Sequence, residues 1–296
     1  DRLMSRGLGD VYKRQSYTYS PRSMNLTFLI PVKIESEDRV RNLVTVLSYL
    51  LTKVDAKIIV KECDTEQKFA QLVSPYLSKR FGAISHRVKH IYEEQKDNFF
   101  HKTRILNDLI EEADTEIVCN YDTDVLLPVT SYTLAYEMIK RGQCDAVYPY
   151  GCGVYQKAVT YNNSICNEFL ESKLDVEQLD KYVSLSSSTI GWCQFIRKEN
   201  YIHSYMMNEN FQAWGPEDSE LYYRLNALGN RVVRVNDYVY HLEHSRSADS
   251  WFNNPMWQQN TQLWNWIRTQ SKENLSRYYE SQDYVKRRLS SAKVRK

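Results

Sequence analysis

The sequence lacks the features that define several large protein classes. No apolar run approaches the roughly 18 residues that a membrane-spanning helix needs. The six cysteines include no C-x-x-C pair, so the pattern of a zinc site or a disulfide framework is missing. This cysteine usage predicts a reducing, cytoplasmic compartment. The net charge is only +2, which excludes a general polyanion binder, and no nucleic-acid partner is expected.

What is present is a regular alternation of predicted strands and helices. A content of 42% hydrophobic and 26% charged residues is typical of a globular protein. Apolar strands are predicted at 26–32, 57–60, 87–91 and 117–119, with helical segments between them. The first helix has Val40, Leu43 and Leu47 on one face. This alternation predicts an α/β, Rossmann-like fold with a mostly parallel sheet and helices on both faces.

The chain divides into three predicted parts. Residues 1–23 show no periodicity, and the segment 5–15 resembles a translated cloning linker, so we expect an unstructured or non-native leader. Residues 24–250 are predicted to form a single folded domain. Residues 251–296 are predicted to be a helical extension that ends in a basic tail.

Within the domain, the pattern is weaker after the central strand. We expect residues 149–185 to form a variable loop region and 186–197 to form one strand. The segments 231–235 and 238–243 are expected to complete the sheet. A helix rich in tryptophan is predicted at about 254–269.

Two aspartates follow the predicted central strand. In extended backbone Asp122 and Asp124 point to the same side, with Thr123 opposite. Ligands of open α/β sheets bind outside the carboxyl ends of the strands. Two carboxylates at that edge suit a divalent cation and, through it, a diphosphate. A solvated acidic turn is the alternative, because D-x-D alone arises often by chance.

A second group of candidate residues surrounds a predicted helix start. Pro216 places Glu217 and Asp218 in the first turn, where free N–H groups and the helix dipole stabilise carboxylates. Acids at this position are ordinary in helices. The functional interpretation is a carboxylate kept ionised beside Trp214 and able to take a proton from a hydroxyl.

A third group follows the last predicted strand. His241 and His244 return to the carboxyl edge of the sheet, where they could complete a metal site with Asp124. Their spacing is unlike that of a zinc-binding helix pair. The neighbouring aspartates indicate Mn²⁺ or Mg²⁺ instead, and the choice between the two histidines stays open.

Four segments occur in the order found in metal-dependent glycosyltransferases of the GT-A fold. They are FHKTRILN at 100–107, YDTDVLLP at 121–128, WGPED at 214–218 and HSR at 244–246. Over about 26–246 the chain resembles the inverting group that contains animal galactosyltransferases and bacterial chondroitin-type and capsule polymerases. The D-x-D is weakly specific alone, but its combination with W-G-x-E-D, a helix and a downstream histidine is a strong signature.

The resemblance implies a nucleotide-sugar donor, with UDP as the nucleotide. By position, the donor would be bound by Pro31, Lys33, Asp64, Lys102, Asp122 and Gly191. Asp64 matches the residue that contacts the uracil, and Lys102 matches a basic residue near the diphosphate. Gly191 matches a glycine that lies close under the donor sugar. Lys33 stands where an arginine is usual.

The resemblance also implies the remaining roles. Asp218 matches the catalytic base, and Glu217 matches an acceptor-binding carboxylate that is the next candidate for the base. Trp214 and Gly215, with the tyrosine-rich segment 149–161, would line the acceptor site. The metal ligands implied are Asp124 with His241 or His244.

Departures from the family pattern affect the donor more than the reaction. Trp192 stands where a second glycine is usual beside Gly191, which predicts a narrower donor pocket. Pro216 replaces a small residue after Gly215. The segment 205–208 lacks the Gly-Phe turn that is common in the family.

These observations predict an inverting, metal-dependent transferase that moves a hexose or N-acetylhexosamine to a glycan or lipid-linked glycan in capsule synthesis. Two alternatives remain. A sugar-1-phosphate nucleotidyltransferase needs a glycine-rich basic loop after the first strand, and residues 30–35 contain no glycine. A catalytically degenerate sugar-binding module of a polysaccharide-synthesis complex has no need of Asp124, Asp218 and the paired histidines.

The end of the chain is basic. The cations are Lys286, Arg287, Arg288, Lys293, Arg295 and Lys296, with no acid from Tyr284 onward. A solvated terminus is one interpretation. The other is peripheral contact with an anionic membrane surface, where each cation contributes roughly 1 kcal/mol. Trp257, Trp264 and Trp266 could add an interfacial face to such a surface. The alternative is that Trp257 and Trp264, which lie at i and i+7 with Thr261 between them, pack on the core.

Overall fold

The structure, a computed structural model, describes residues 23–96, 99–246 and 254–294, the last four without their side chains. The predicted leader therefore lies outside the described residues, apart from its last position. The strands are β1 Leu26–Val32, β2 Lys57–Asp64, β3 Val88–Glu94, β4 Ile117–Tyr121, β5 Val125–Leu126, β6 Ala146–Tyr148, β7 Gln156–Val159, β8 Val183–Ser186, β9 Cys193–Arg197, β10 Val232–Arg234 and β11 Val239–Leu242.

The helices alternate with these strands over the first half of the chain. They are α1 Glu37–Lys53, α2 Ser74–Phe81, α3 Lys102–Glu112, α4 Val129–Lys140, α5 Asn163–Glu171, α6 Lys198–His203, α7 Glu217–Ala227, α8 Trp257–Ile267, α9 Lys272–Ser281 and α10 Asp283–Val294. A π-helical turn at Phe69–Val73 precedes α2, and 3-10 segments lie at Gly82–Arg87 and Val176–Tyr182.

Within the described residues, seven strands form the main sheet, in the order β10-β6-β9-β4-β1-β2-β3. β1 is parallel to β2 and β4, β2 to β3, and β6 to β10, whereas β9 is antiparallel to β4 and β6. The predicted α/β fold with a mostly parallel sheet is confirmed. Because β1, β2 and β4 are parallel, the residues that follow them meet at one edge of the sheet.

Side chains along β1 alternate between two cores, one on each face of the sheet. Phe28 and Ile30 lie in a core with side chains of α1, α2 and α4, whereas Leu29 lies in a second core with α3, α6 and α7. Ser36 caps α1 by accepting a hydrogen bond from the amide of Arg39. This cap lies four residues after the end of β1, and so fixes the start of α1 at the edge where the strands end.

In the part of the chain that the structure describes, a second sheet has four strands in the order β5-β11-β7-β8. Three sequence predictions were wrong in this region. Residues 149–185, predicted as a loop region, contain β7, α5 and most of β8. Residues 186–197, predicted as one strand, contain the last residue of β8, a non-strand segment and then β9. The strand β11, predicted to complete the main sheet, pairs with β5 and β7 instead. β7 and β8 are four residues each, half of them polar, so they are too short to show a clear periodic signal.

The C-terminal helices pack on α7 through a third core, which contains Phe211, Ile267, Leu275 and Tyr279. Two of the tryptophans that were proposed to face a membrane surface pack against aromatic side chains of the protein instead. Trp257 stacks on Trp214, and Trp264 packs edge-on against Tyr223. Within the described ranges, no helix offers an apolar stretch long enough to cross a bilayer.

The basic C-terminal tail is in part a structural element. The side chain of Arg288 is only 6% exposed and pairs with acids of α3 and with Glu209. Its predicted place on a basic surface is wrong, because a buried guanidinium held by carboxylates cannot face a membrane. Lys286 and Arg287 are exposed, so membrane contact through them stays a prediction. The side chains of Lys293, Arg295 and Lys296 lie outside the described residues.

A buried ion pair on α7 is a determinant of stability. Arg224 donates to both carboxylate oxygens of Glu220 at 2.6 and 3.0 Å, and both side chains are fully buried. We expect Arg224→Met to lower the free energy of unfolding by about 3–5 kcal/mol, because it leaves Glu220 buried without its partner. Urea titration followed by circular dichroism measures the change.

The matched control is the exposed pair between Lys57 and Asp114, whose side chains are 59% and 69% exposed. Lys57→Met is expected to change stability by less than about 1 kcal/mol. Equal effects of the two substitutions would contradict a special contribution from the buried pair.

Candidate active site

Strand pairing brings Asp124 next to the two histidines. The D-x-D lies between β4 and β5, and β5 pairs with β11, so Val125 lies opposite His241. The amide of Leu242 donates to the carbonyl of Asp124 at 2.7 Å. This pairing between distant segments is the reason that β11 presents its histidine to the carboxyl edge of the main sheet.

Asp124, His241 and His244 form a compact set of potential metal ligands. Their donor atoms all lie within 4.8 Å of one another. His244 Nε2 is 2.9 Å from Asp124 Oδ2, and His241 Nε2 is 4.0 Å from Asp124 Oδ1. One carboxylate and two imidazoles fit a borderline divalent cation such as Mn²⁺. The structure thus brings together all three residues predicted as ligands.

The charge states of these groups suit cation binding. Burial would raise the pKa of Asp124, but the hydrogen bond from His244 and the charges of His241 and Arg39 outweigh it and hold that pKa well below its usual range. Burial lowers the pKa of His241, although the charge of Asp124 acts in the opposite direction. An ionised carboxylate and a neutral imidazole are the forms that bind metals.

Neighbouring groups fix the orientation of both histidines. His244 Nδ1 lies 2.7 Å from the carbonyl of Ser245, and since a carbonyl can only accept, Nδ1 donates to it and the opposite ring nitrogen, Nε2, faces Asp124. The His241 ring stacks on Trp192, with centroids 5.7 Å apart. Trp192, the unusual residue beside Gly191, thus lies against a potential metal ligand and is 8% exposed.

Lys102 connects the two carboxylates on the other side of the site. It begins α3, and its Nζ lies 3.2 Å from Asp122 Oδ1 and 3.1 Å from Asp218 Oδ2. Burial raises the pKa of Asp122 to about 7, against the charge of Lys102. Burial alone would lower the pKa of Lys102, but the adjacent carboxylates Asp122 and Asp218 hold it well above its usual range. Lys102 is therefore a fixed positive charge.

Asp218 is held by two donors and is close to Gly191. Besides Lys102, Gln194 Nε2 donates to Asp218 Oδ1 at 3.1 Å, and Gln194 is itself held by Asn120 at 2.9 Å. A Cβ added at Gly191 would lie 2.2 Å from Asp218 Oδ2, a distance that no real contact allows. A glycine at 191 is therefore required by the position of Asp218.

Glu217 differs from Asp218 although the two are adjacent at the start of α7. Glu217 is 5% exposed, and its Oε2 has no hydrogen-bond partner among the described residues. Burial, with the charge of Asp218, raises the pKa of Glu217 to about 8. Glu217 is thus mainly protonated at neutral pH, while Asp218 keeps its contact with the ammonium group of Lys102. The two acids suit different tasks.

Trp214 and Trp257 form an aromatic platform beside the start of α7. Trp214 is 39% exposed, and its ring lies 5.3 Å from that of Trp257 at an angle of 24°. Asn260 of α8 donates to the carbonyl of Trp214 at 3.1 Å, and a Cβ at Gly215 would lie 2.7 Å from its Nδ2. Gly215 therefore allows α8 to lie against the loop that carries Trp214.

The tyrosine-rich segment 149–161 was predicted to line the acceptor site, and this prediction was wrong for two of its tyrosines. Tyr150 is fully buried and accepts a hydrogen bond from the amide of Trp192, and Tyr161 is 5% exposed and bonded to Thr45. Both tyrosines lie in the hydrophobic core and their hydroxyl groups are bonded within it, so they do not form an acceptor wall. Tyr155 of the same segment is partly exposed.

Three of the predicted donor-binding residues, Pro31, Lys33 and Asp64, lie at the ends of β1 and β2. Pro31 is within β1, and Lys33 follows it and pairs with Glu35 at 3.3 Å. The Oδ2 of Asp64 accepts from the amide of Ile34 and from Lys68, each at 3.1 Å. Asp64 therefore ties the end of β2 to the chain that leaves β1, whatever it contacts in a ligand.

Two residues at the site were missed in the sequence. Arg39 Nη1 lies 3.1 Å from Asp124 Oδ2, and Gln194 holds Asp218. A basic residue in the first turn of a helix is disfavoured by the helix dipole, which was a weak signal for Arg39. Gln194 interrupts the apolar residues of β9, and a buried amide in a central strand needs a partner.

A known protein family is similar to the part of the chain that contains several of these site residues. A sequence model of the N-terminal domain of galactosyltransferase matches residues 166–245, a stretch that contains Gly191, Asp218 and both histidines. Among curated proteins, no sequence matches this chain.

Solved structures resemble the chain over most of its length. Mannosyltransferase PcManGT from Pyrobaculum calidifontis, in complex with GDP-Man and Mn²⁺, is 12% identical with a TM-score of 0.53, covering 97% of this chain and 81% of its own. GalNAc-T7 with UDP, GalNAc and Mn²⁺ is 12% identical with a TM-score of 0.51, covering 76% and 45%. TarS 1–349 from S. aureus with UDP-GlcNAc is 14% identical with a TM-score of 0.50, covering 77% and 62%.

The chain therefore has the GT-A fold of glycosyltransferases. Identities of 12% and 14% establish the fold alone. The reaction has to be argued from the site, because one fold carries many functions.

Proposed function

We propose that this chain is a metal-dependent, inverting glycosyltransferase that moves a hexose or N-acetylhexosamine from a UDP-sugar to a glycan hydroxyl. The observation that carries the proposal is the pairing of two charged centres at one sheet edge. One is the ligand set of Asp124, His241 and His244; the other is Asp218 with Lys102. A cation for a diphosphate and a base for a hydroxyl are the two requirements of this reaction.

The ligand set fits a divalent cation, which when bound would neutralise charge on the departing diphosphate. Asp218 takes the proton of the acceptor hydroxyl as its oxygen bonds to the anomeric carbon. The bond from that carbon to the diphosphate breaks, and the nucleoside diphosphate leaves with the electron pair. Attack on the face opposite the leaving group inverts the anomeric centre.

The contacts of Asp218 leave it able to accept this proton. Lys102 and Gln194 each occupy one of its oxygens, and an ionised carboxylate offers about four lone-pair sites. These two donors also fix the direction of the free lone pairs, which favours catalysis by a positioned base. Protonated Glu217 is proposed to donate a hydrogen bond to the acceptor and not to act as the base.

The donor and acceptor classes are part of the proposal. A UDP-sugar is favoured by the family resemblance, and two similar structures, GalNAc-T7 and TarS, hold UDP or UDP-GlcNAc. The exposed ring of Trp214, stacked on Trp257, offers an apolar surface for the face of an acceptor sugar. We propose a glycan or lipid-linked glycan acceptor of the capsule type, in a cytoplasmic setting on the basis of cysteine usage.

A screen of nucleotide sugars tests the proposal without an acceptor. The full chain is incubated with UDP-hexoses and UDP-N-acetylhexosamines in Mn²⁺ or in chelator, and released UDP is measured. We expect slow hydrolysis of at least one donor in Mn²⁺ only, because water can take the place of the acceptor hydroxyl. Tight binding of a donor with neither hydrolysis nor transfer to added glycans would indicate a degenerate sugar-binding module. Transfer once glycans are added would indicate an enzyme.

A further inference from the structure

Arg39 is bound to the proposed metal ligand Asp124, although no sequence pattern assigns it a role. Its Nη1 lies 3.1 Å from Asp124 Oδ2, the same oxygen that His244 Nε2 approaches at 2.9 Å. That oxygen belongs to the compact ligand set described above. Arg39 therefore occupies a position next to one that a divalent cation would take.

The guanidinium of Arg39 is only partly used in this contact. A guanidinium carries five N–H donors in a rigid fork, and within the described part of the chain one hydrogen bond to Asp124 is made by this side chain. The side chain is 22% exposed. Several donors of Arg39 are thus open toward solvent at the edge where the strands end.

Charge decides what these donors can do when the ligand set is filled. A divalent cation on Asp124 repels the guanidinium and competes with it for the Oδ2 atom. An oxyanion held by the same cation attracts the guanidinium, and planar donors suit bidentate contact with phosphate. A small movement of the fork from the carboxylate to the phosphate satisfies both effects.

We propose that Arg39 competes with the divalent cation for Asp124 and, once the cation is bound, contacts the diphosphate of the donor. This inference rests on the proposed function, because it needs a cation and a diphosphate at this site. It makes the two ligands bind cooperatively: the cation releases the guanidinium, and the diphosphate draws it away from the cation. By linkage each ligand raises the affinity of the other by the same factor.

Isothermal titration of the full chain tests the proposal with two ligands, Mn²⁺ alone and inorganic pyrophosphate in saturating Mn²⁺. Arg39→Met is expected to bind Mn²⁺ alone more tightly, by up to on the order of tenfold, because a competing cation is removed. The same variant is expected to bind pyrophosphate more weakly, by on the order of tenfold. Effects of opposite sign are the signature of the proposed exchange.

Lys57→Met is the control, since it removes one positive charge from β2 at the far end of that strand from the site. It is expected to leave both affinities unchanged. Arg39→Lys keeps the charge without the fork, and is expected to bind Mn²⁺ as the natural chain does and to recover part of the affinity for pyrophosphate. This second variant keeps the test decisive if Arg39→Met fails to fold.

Three results would overturn the proposal. Weaker Mn²⁺ binding by Arg39→Met would show that Arg39 only orients Asp124. Unchanged pyrophosphate affinity in that variant would remove the diphosphate contact. Absence of Mn²⁺ binding to the natural chain would overturn the proposed function as well as this inference. The first two results would overturn this inference alone.

Discussion

Asp218→Asn is expected to lower kcat by about 10²–10⁴ while leaving the affinity for the donor close to that of the natural chain. The asparagine keeps the shape of the aspartate, and its carbonyl oxygen can still accept from Lys102 or Gln194. It has no basic carboxylate to take the proton of the acceptor hydroxyl. Asp122, 3.2 Å from Lys102, still compensates that positive charge, so donor binding should survive.

Glu217→Gln is the matched control for this substitution. Burial raises the pKa of Glu217 to about 8, so at pH 7 the natural side chain is mainly the neutral acid, which glutamine imitates. We expect kcat within about tenfold of the natural value at that pH, because only a hydrogen bond to the acceptor is altered. Initial rates and donor titrations on both variants give the comparison. A larger loss in Glu217→Gln than in Asp218→Asn would assign the base to Glu217.

The sequence predicted those strands and helices whose hydrophobic pattern or end residues lie within a single segment of the chain. β1 and β4 are mainly apolar and buried at every position, as expected of strands covered on both faces. Pro216 and Gly229 mark the two ends of α7, and Gly229 has the positive φ of 92° that follows a helix. The position of Asp122 and Asp124 after β4 followed from the same reasoning.

The second sheet could not be predicted in this way, because its pairings join distant segments. Tyr240 and His241 of β11 pair with Leu126 and Val125 of β5, more than a hundred positions earlier. Nothing in either segment alone distinguishes this pairing from one in the main sheet. Since the pairing decides that His241 lies beside Asp124, the sequence predicted which residues could form the ligand set, and their geometry came from the fold.

Charge patterns were the least dependable part of the sequence for a similar reason. Arg288 looks like one of several tail cations, but acids from α3 and Glu209 surround it. Arg39 looks like an ordinary surface residue of α1, but it contacts Asp124 across 85 positions. The environment of a charge is set by tertiary packing, which leaves at most a weak signal in the local sequence.

Asp124→Ala is expected to abolish Mn²⁺-dependent binding of UDP, since it removes the carboxylate that all other ligand atoms of the site surround. The side chain is 8% exposed and lies between His244, His241 and Arg39. Without it, two imidazoles and a guanidinium face one another with no anion between them, which is unfavourable for a further cation. Mn²⁺ titration followed by UDP titration, each with a chelator control, measures both steps.

Substitution of the histidines separates their contributions in the same assay. His244→Ala is expected to weaken Mn²⁺ binding by about 100-fold or more, because its Nδ1 proton is held by the carbonyl of Ser245 and its Nε2 is already directed to Asp124. His241→Ala is expected to cost about tenfold, because its Nε2 lies 4.0 Å from the carboxylate and its ring is positioned only by ring contacts with Trp192 and His244 among the described residues. Equal UDP affinity of Asp124→Ala and the natural chain in Mn²⁺ would contradict a metal site at Asp124. A larger loss in His241→Ala than in His244→Ala would make His241 the principal imidazole ligand.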